Sequence, residues 1–92
     1  MKAKIVKIEE KDSKYGGFFY FIFFKGEDGK SYRTCVYPRY GNFKRWQPVI
    51  EDFTKNGIKE IWLEGLVVKG KRLIDADSLF TVKKVDKVEV LR

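Results

Sequence analysis

The sequence predicts a mainly β domain of five strands, with one helix between strands 3 and 4. Three observations predict it: segments of strand length separated by glycine-containing turns, a single stretch with helical periodicity, and a length of 92 residues, which holds one core and no second. The domain spans residues 1–92.

Strand 1 is read over Lys2 to Glu9, with Ala3, Ile5 and Lys7 on one face and Lys4, Val6 and Ile8 on the other. Glu10 to Gly17 is polar, ends in Gly16-Gly17 and reads as a loop. Strand 2 is FFYFIFFK, Phe18 to Lys25, seven aromatic or aliphatic side chains in a row before its only charged residue. Strand 3 runs from Lys30 to Tyr37 and ends at Pro38, which has no amide hydrogen to donate. Between strands 2 and 3, Glu27-Asp28-Gly29 suits a three-residue turn with glycine in the left-handed position.

Trp46, Ile50 and Phe53 recur at i, i+4 and i+7, one stripe of a helix. Proline sits best in a first turn, so the main helix is expected from Pro48 to Lys55, with a looser turn ahead of it and Asn56-Gly57 as its stop. Strand 4 is Glu60 to Lys69, Lys69-Gly70-Lys71 is a turn, and strand 5 is Arg72 to Lys83, with a break near Asp77-Ser78. The segment 84–92 is a C-terminal extension that alternates well enough for one more short strand.

The turn fixes the faces of strands 2 and 3. A three-residue loop pairs Gly26 with Lys30, so Phe23 opposes Arg33, Phe21 opposes Cys35 and Phe19 opposes Tyr37. The other face holds Tyr20 with Val36, Ile22 with Thr34 and Phe24 with Tyr32. This second set is free of charge and is expected inside. The first set, extended by Lys25, is expected to look outward. A two-residue turn would slip the register and place Arg33 beside Phe24.

Charge points to a partner. Twenty Lys and Arg against thirteen Asp and Glu give a net charge of +7, and aromatic residues make up 16% of the chain. An excess of this size in a small domain suits a polyanion, nucleic acid first. From Gly29 to Trp46 there are five cations (Lys30, Arg33, Arg39, Lys44, Arg45) and no acid, interleaved with Tyr32, Tyr37, Tyr40 and Phe43. Rings stack on bases while neighbouring cations meet phosphates, the pattern single-strand binding requires. Trp46 belongs to the helix stripe and is expected in the core. Trp62 has the opposite parity to Ile61 and Leu63, which allows an outward position.

Other chemistries find little here. The chain has no histidine to act as a general base, no serine in a nucleophile elbow and no phosphate-binding glycine loop, so no enzyme is expected. Cys35 is the only cysteine, which excludes an internal disulfide, and no zinc cluster can form. Asp75-Ala76-Asp77 could offer two carboxylates to a magnesium ion, but capping or an ion pair with Arg72 explains them better. No metal or cofactor is expected. MKAKIVKIEE alternates charge with aliphatic residues, unlike a secretory leader, and no later stretch reaches membrane-span length, so a cytoplasmic protein is expected.

Three strands, a helix and two strands is the order of the OB-fold, a five-stranded Greek-key barrel. From Phe19 to Val82 the chain resembles the oligonucleotide-binding domains of single-stranded DNA-binding proteins and replication protein A. The resemblance rests on the GEDG hairpin, YRTCVYP, IWLEGLVV after the helix and the closing RLIDADSLFTV. It implies binding of single-stranded nucleic acid, DNA foremost, with little sequence specificity, on the outer surface of strands 2 and 3. The residues assigned to that surface are Phe19, Phe21, Phe23, Lys25, Arg33, Tyr37, Arg39, Tyr40 and Trp62, with Lys69, Lys71 and Arg72 in the loop that OB-folds often close over it. RNA is an alternative ligand, as is a structural role in which the aromatic face contacts protein in a homo-oligomer or a replication or repair assembly. A small barrel binding duplex DNA is disfavoured by the helix. The acidic tail with which bacterial single-strand binding proteins recruit partners has no counterpart in VEVLR.

Overall fold

The computed structural model describes residues 1–39, 41–70 and 73–82. The element order is β1 (Lys2–Asp12), β2 (Phe18–Gly26), β3 (Ser31–Val36), α1 (Asn42–Asn56), β4 (Glu60–Val68) and β5 (Ile74–Thr81). The strands form one antiparallel sheet in the order β3-β2-β1-β4-β5. β3 and β5 are its edges, and an isolated parallel bridge joins Arg33 to Leu73 across them. No helix among the described residues is long and apolar enough to cross a membrane. The expected strand at 84–92 lies outside the described residues.

The β2–β3 register follows the three-residue turn. The Gly26 N–H donates to the Lys30 carbonyl at 2.9 Å, and Gly29 takes the left-handed φ of 81°. Phe23 pairs with Arg33, Phe21 with Cys35, Ile22 with Thr34 and Phe24 with Tyr32. Ile22, Phe24, Thr34 and Val36 are buried, so the uncharged face lines the core. The slipped register is excluded. Asp28 fixes the turn by accepting from the Lys30 N–H at 2.9 Å and from the Tyr32 hydroxyl at 2.5 Å.

β1 departs from simple alternation. Ile5 pairs with Phe24 and Lys7 with Phe23, so Val6 is an extra, bulged residue and is 63% exposed. Ala3 and Ile5 point inward ahead of the bulge, and Ile8 packs against the core after it. Lys7 therefore does not share a face with Ala3 and Ile5, and Ile8 does not share one with Lys4.

The helix begins earlier than expected, at Asn42, and carries Pro48 near its middle. An interior proline forfeits one hydrogen bond, at about 3 kcal/mol. Burial on both sides of it, through Trp46, Val49 and Ile50, holds the helix continuous. The stripe is as the spacing predicts, with Phe53 half-buried against the same core. Gly57 ends the helix in the left-handed conformation, its N–H donating to the Phe53 carbonyl.

β5 is unbroken at Asp77-Ser78. Its register with β4 stays in phase from Ile61–Thr81 to Val68–Ile74. The irregularity falls on the partner strand, where Gly65 adopts φ 68° and a Cβ would come within 2.7 Å of the Asp77 carboxylate. Asp75 is buried and pairs with Arg45 (Nη2 at 3.6 Å); the expected partner Arg72 lies outside the described residues.

Candidate nucleic-acid interface

The parity of β2 and β3 sends Phe19, Phe21, Phe23, Lys25, Arg33, Cys35 and Tyr37 to the face opposite the core. The rings are half-buried because they lie on one another. Phe21 and Phe23 stack with centroids 5.0 Å apart and planes 20° off parallel, and Phe19 stacks on Tyr37 at 4.9 Å and 21°. A tilted contact of 6.3 Å between Phe19 and Phe21 joins the two pairs into one stripe. Offset stacking at these distances is favourable for aromatic pairs.

Cations border the stripe on both sides. The Arg33 guanidinium lies over Phe21, its Cζ 5.5 Å from the centroid, and the Lys7 ammonium lies 4.8 Å over Phe23. Lys25 is exposed beyond Phe23. The β1 ladder also sets Glu9 beside Phe21 and Lys11 beside Phe19. Glu9 is clamped by Lys7 at 3.0 Å and Lys11 at 3.6 Å, and the hydrogen bond from Lys7 leads in holding its carboxyl below the usual range. The three β1 side chains thus sum to a single positive charge. Burial pushes the Cys35 thiol up, against a smaller opposing pull from Arg33, so it stays protonated and unreactive at neutral pH.

At the Tyr37 end, Ser13, Tyr15, Gly17, Phe18, Tyr37 and Arg39 help line a cavity of about 190 Å³. Arg39 is thereby brought to the end of the stripe. At the other edge, Lys69 is exposed and its N–H donates to the Leu73 carbonyl at 2.6 Å, while Leu73 bridges Arg33. The β4–β5 hairpin and Lys69 therefore sit beside the Arg33 side of the face. Trp62 is half-buried on the outward parity of β4, opposite Lys2 on β1 and Phe80 on β5. In the sheet, β1 stands between it and the β2 stripe. Tyr40, Lys71 and Arg72 lie outside the described residues.

Searches of family models, curated proteins and solved structures return no match to this chain. The face must be interpreted from its own residues. Among the described residues no cluster of three or more metal-ligating side chains occurs, and Asp75 is committed to Trp46, Asn42 and Arg45.

Sequence reasoning missed Lys7 and Lys11, which border the stripe from β1. The bulge hid Lys7, because uninterrupted alternation puts it on the opposite face, and Lys11 fell in the segment 10–17 read as a loop, whereas β1 continues to Asp12. Tyr15, 83% exposed at the mouth of the cavity, was also missed, since a loop residue carries no parity.

Proposed function

We propose that the protein is an OB-type barrel that binds single-stranded nucleic acid, DNA foremost, on the outer face of β2 and β3. The observation that carries the reading is the ring stripe Tyr37–Phe19–Phe21–Phe23 with cations over two of its rings. Bases present flat π faces of every sequence, so such a stripe binds them at about 1–3 kcal/mol per stacked base without reading sequence. Lys25, Arg33, Arg39 and Lys69 supply charge for the phosphates between them. The net charge of +7 works in the same direction.

Three features support the barrel: the strand order β3-β2-β1-β4-β5, the helix between β3 and β4, and the parallel Arg33–Leu73 bridge between the two edge strands. Closure through that bridge would bring β5 next to β3.

Fluorescence titration with oligo(dT), oligo(U) and a duplex of equal length tests the function. Tight oligo(dT) binding with weak duplex binding is the expected result. Equal or tighter oligo(U) binding would make RNA the ligand. Absence of binding to all three would leave the stripe as a protein contact.

A further inference from the structure

Phe23 is the last ring of the stripe, but the outward face of the sheet continues beyond it. The next position on β2 is Lys25, which lies directly opposite Lys4 in the β1 ladder. These two, with Lys2 and Lys59, line an open concavity of about 460 Å³ between the ends of β1, β2 and β4. All four lysines are exposed, and among the described residues none of their ammonium groups pairs with a carboxylate. Two acids share the lining. Glu27 is engaged, its Oε1 accepting the Lys2 backbone N–H at 2.8 Å, and Glu60 stands opposite Lys4 across the β1–β4 ladder. Four positive and two negative side chains leave a surplus of two positive charges.

Like charges directly opposite in an antiparallel pair destabilise it. The Lys4–Lys25 pair is therefore a cost to folding, against which Glu60 opposite Lys4 sets one favourable pair. An anion in the concavity would relieve it, and the concavity adjoins the stripe by a single row of the sheet.

We infer that this concavity is a phosphate-binding extension of the stripe, so that a bound single strand runs lengthwise along β2 from the Tyr37–Phe19 pair onto Lys4, Lys25, Lys2 and Lys59. The inference rests on the stripe being a single-strand platform. Its occupant is the backbone of the same bound strand. The bases that stack on the rings hold the strand, and the lysines meet phosphates past the last stacked base. Long oligonucleotides gain from the concavity, and short ones, filled by the stripe alone, do not.

The test uses oligo(dT) of about five and about fifteen nucleotides, within the range of site sizes for one such fold. Affinities are measured across a salt series for the wild type, for K4Q/K59Q, and for K55Q on the exposed surface of α1. For the long oligonucleotide, K4Q/K59Q is expected to weaken binding and to lower the log–log salt slope by about 1.4, two contacts at roughly 0.7 each. Short-oligonucleotide binding is expected to stay unchanged, and the variant to stay folded, since both lysines are exposed and Lys4→Gln removes one repulsion (Lys25) along with one attraction (Glu60). An unchanged slope for the long oligonucleotide, or a loss per lysine removed that is equal in K55Q, overturns the inference. If F21A and F23A weaken the short oligonucleotide while K4Q/K59Q does nothing, the stripe stands and the extension fails. If the wild type binds neither length, the stripe reading falls and the extension with it.

Discussion

The indole N–H of Trp46 donates to Oδ1 of Asp75 at 2.9 Å, with both side chains buried. The other carboxylate oxygen accepts from Asn42 Nδ2 at 3.0 Å, and Asn42 also donates to the Cys35 carbonyl at 3.2 Å. One carboxylate thus ties the first half of α1 to β5, and its Asn42 partner extends the tie to β3. A buried carboxylate is tolerable because its oxygens are met. Asp75→Ala would strand the indole N–H and the partly buried Arg45, an expected loss of roughly 3–5 kcal/mol. Trp46→Ala is expected to cost roughly the same through the cavity it leaves. The double variant is expected to lose less than the sum, since both changes remove one shared bond. Urea unfolding of the three variants measures each value.

Phe21→Ala and Phe23→Ala are expected to cost roughly 1–3 kcal/mol of oligo(dT) affinity, the worth of one stacked base. Because these rings stack on each other, each change also forfeits about 0.5–1.5 kcal/mol of ring-pair stability. Ile22→Ala and Phe24→Ala, on the opposite parity, are expected to cost roughly 2–5 kcal/mol of stability while sparing affinity per folded molecule. Titration and thermal melting on the same samples separate the classes. Loss of folding or of an oligomer from F21A, with affinity intact, would make the stripe a protein contact.

Binding is expected to weaken with salt. Three to five phosphate contacts drawn from Lys25, Arg33, Arg39 and Lys69 and their neighbours give a slope of roughly −2 to −3.5 in log affinity against log salt for oligo(dT). A flat response would remove the electrostatic half of the proposal.

The two tryptophans are expected to behave oppositely. Trp62→Ala, at a half-buried outward position, is expected to leave the fold intact and weaken binding to long oligonucleotides, because its β1 partner is Lys2 at the lysine concavity. Trp46→Ala is expected to lose stability and leave affinity per folded molecule unchanged. Swapped phenotypes would overturn the assignment of faces.

Acid is expected to weaken the β2–β3 hairpin. The Tyr32 hydroxyl, and next the Lys30 N–H, hold the Asp28 carboxyl below its ordinary value. A carboxylate with a depressed folded pKa stabilises fully above its unfolded value, about 3.9, and that contribution disappears as pH falls through the folded value. Tyr32→Phe removes the leading cause. The wild type's melting temperature is therefore expected to fall more between about pH 5 and pH 2 than that of Tyr32→Phe. Parallel curves for the two proteins would count against the hydroxyl as the cause.

Much of this was legible in the sequence because period-two alternation and turn chemistry are local. Gly29 fixed the turn, the turn fixed the register, and the register set Phe21 and Phe23 on the face opposite Ile22 and Phe24. The long-range features were harder. The Pro48 rule would start the helix at the proline, but Trp46 and Asn42 bind Asp75 from the turns before it, and that partner is remote in sequence. Lys7 was misplaced because a bulge is a property of two paired strands and leaves little trace in one. The cavity beside Tyr15 joins a loop to the end of β3, a juxtaposition that neither segment encodes alone.

The bulge at Val6 makes β1 a strand written in two phases, odd-numbered residues inward before it and even-numbered after it. Exchanging Val6 for another side chain alters an exposed group and little else. Deleting it would remove the phase break: Ile5 and Lys7, already on consecutive rungs opposite Phe24 and Phe23, become chain neighbours, so Lys7, Glu9 and Lys11 stay outward and Ile8 stays inward. Such a variant keeps both its pairing and its hydrophobic pattern, and loses only the local twist that the bulge adds. Position 6 is thus the one on this strand where a residue can be lost without turning any other side chain over, and a library that varies β1 there would find both substitutions and the single-residue deletion tolerated.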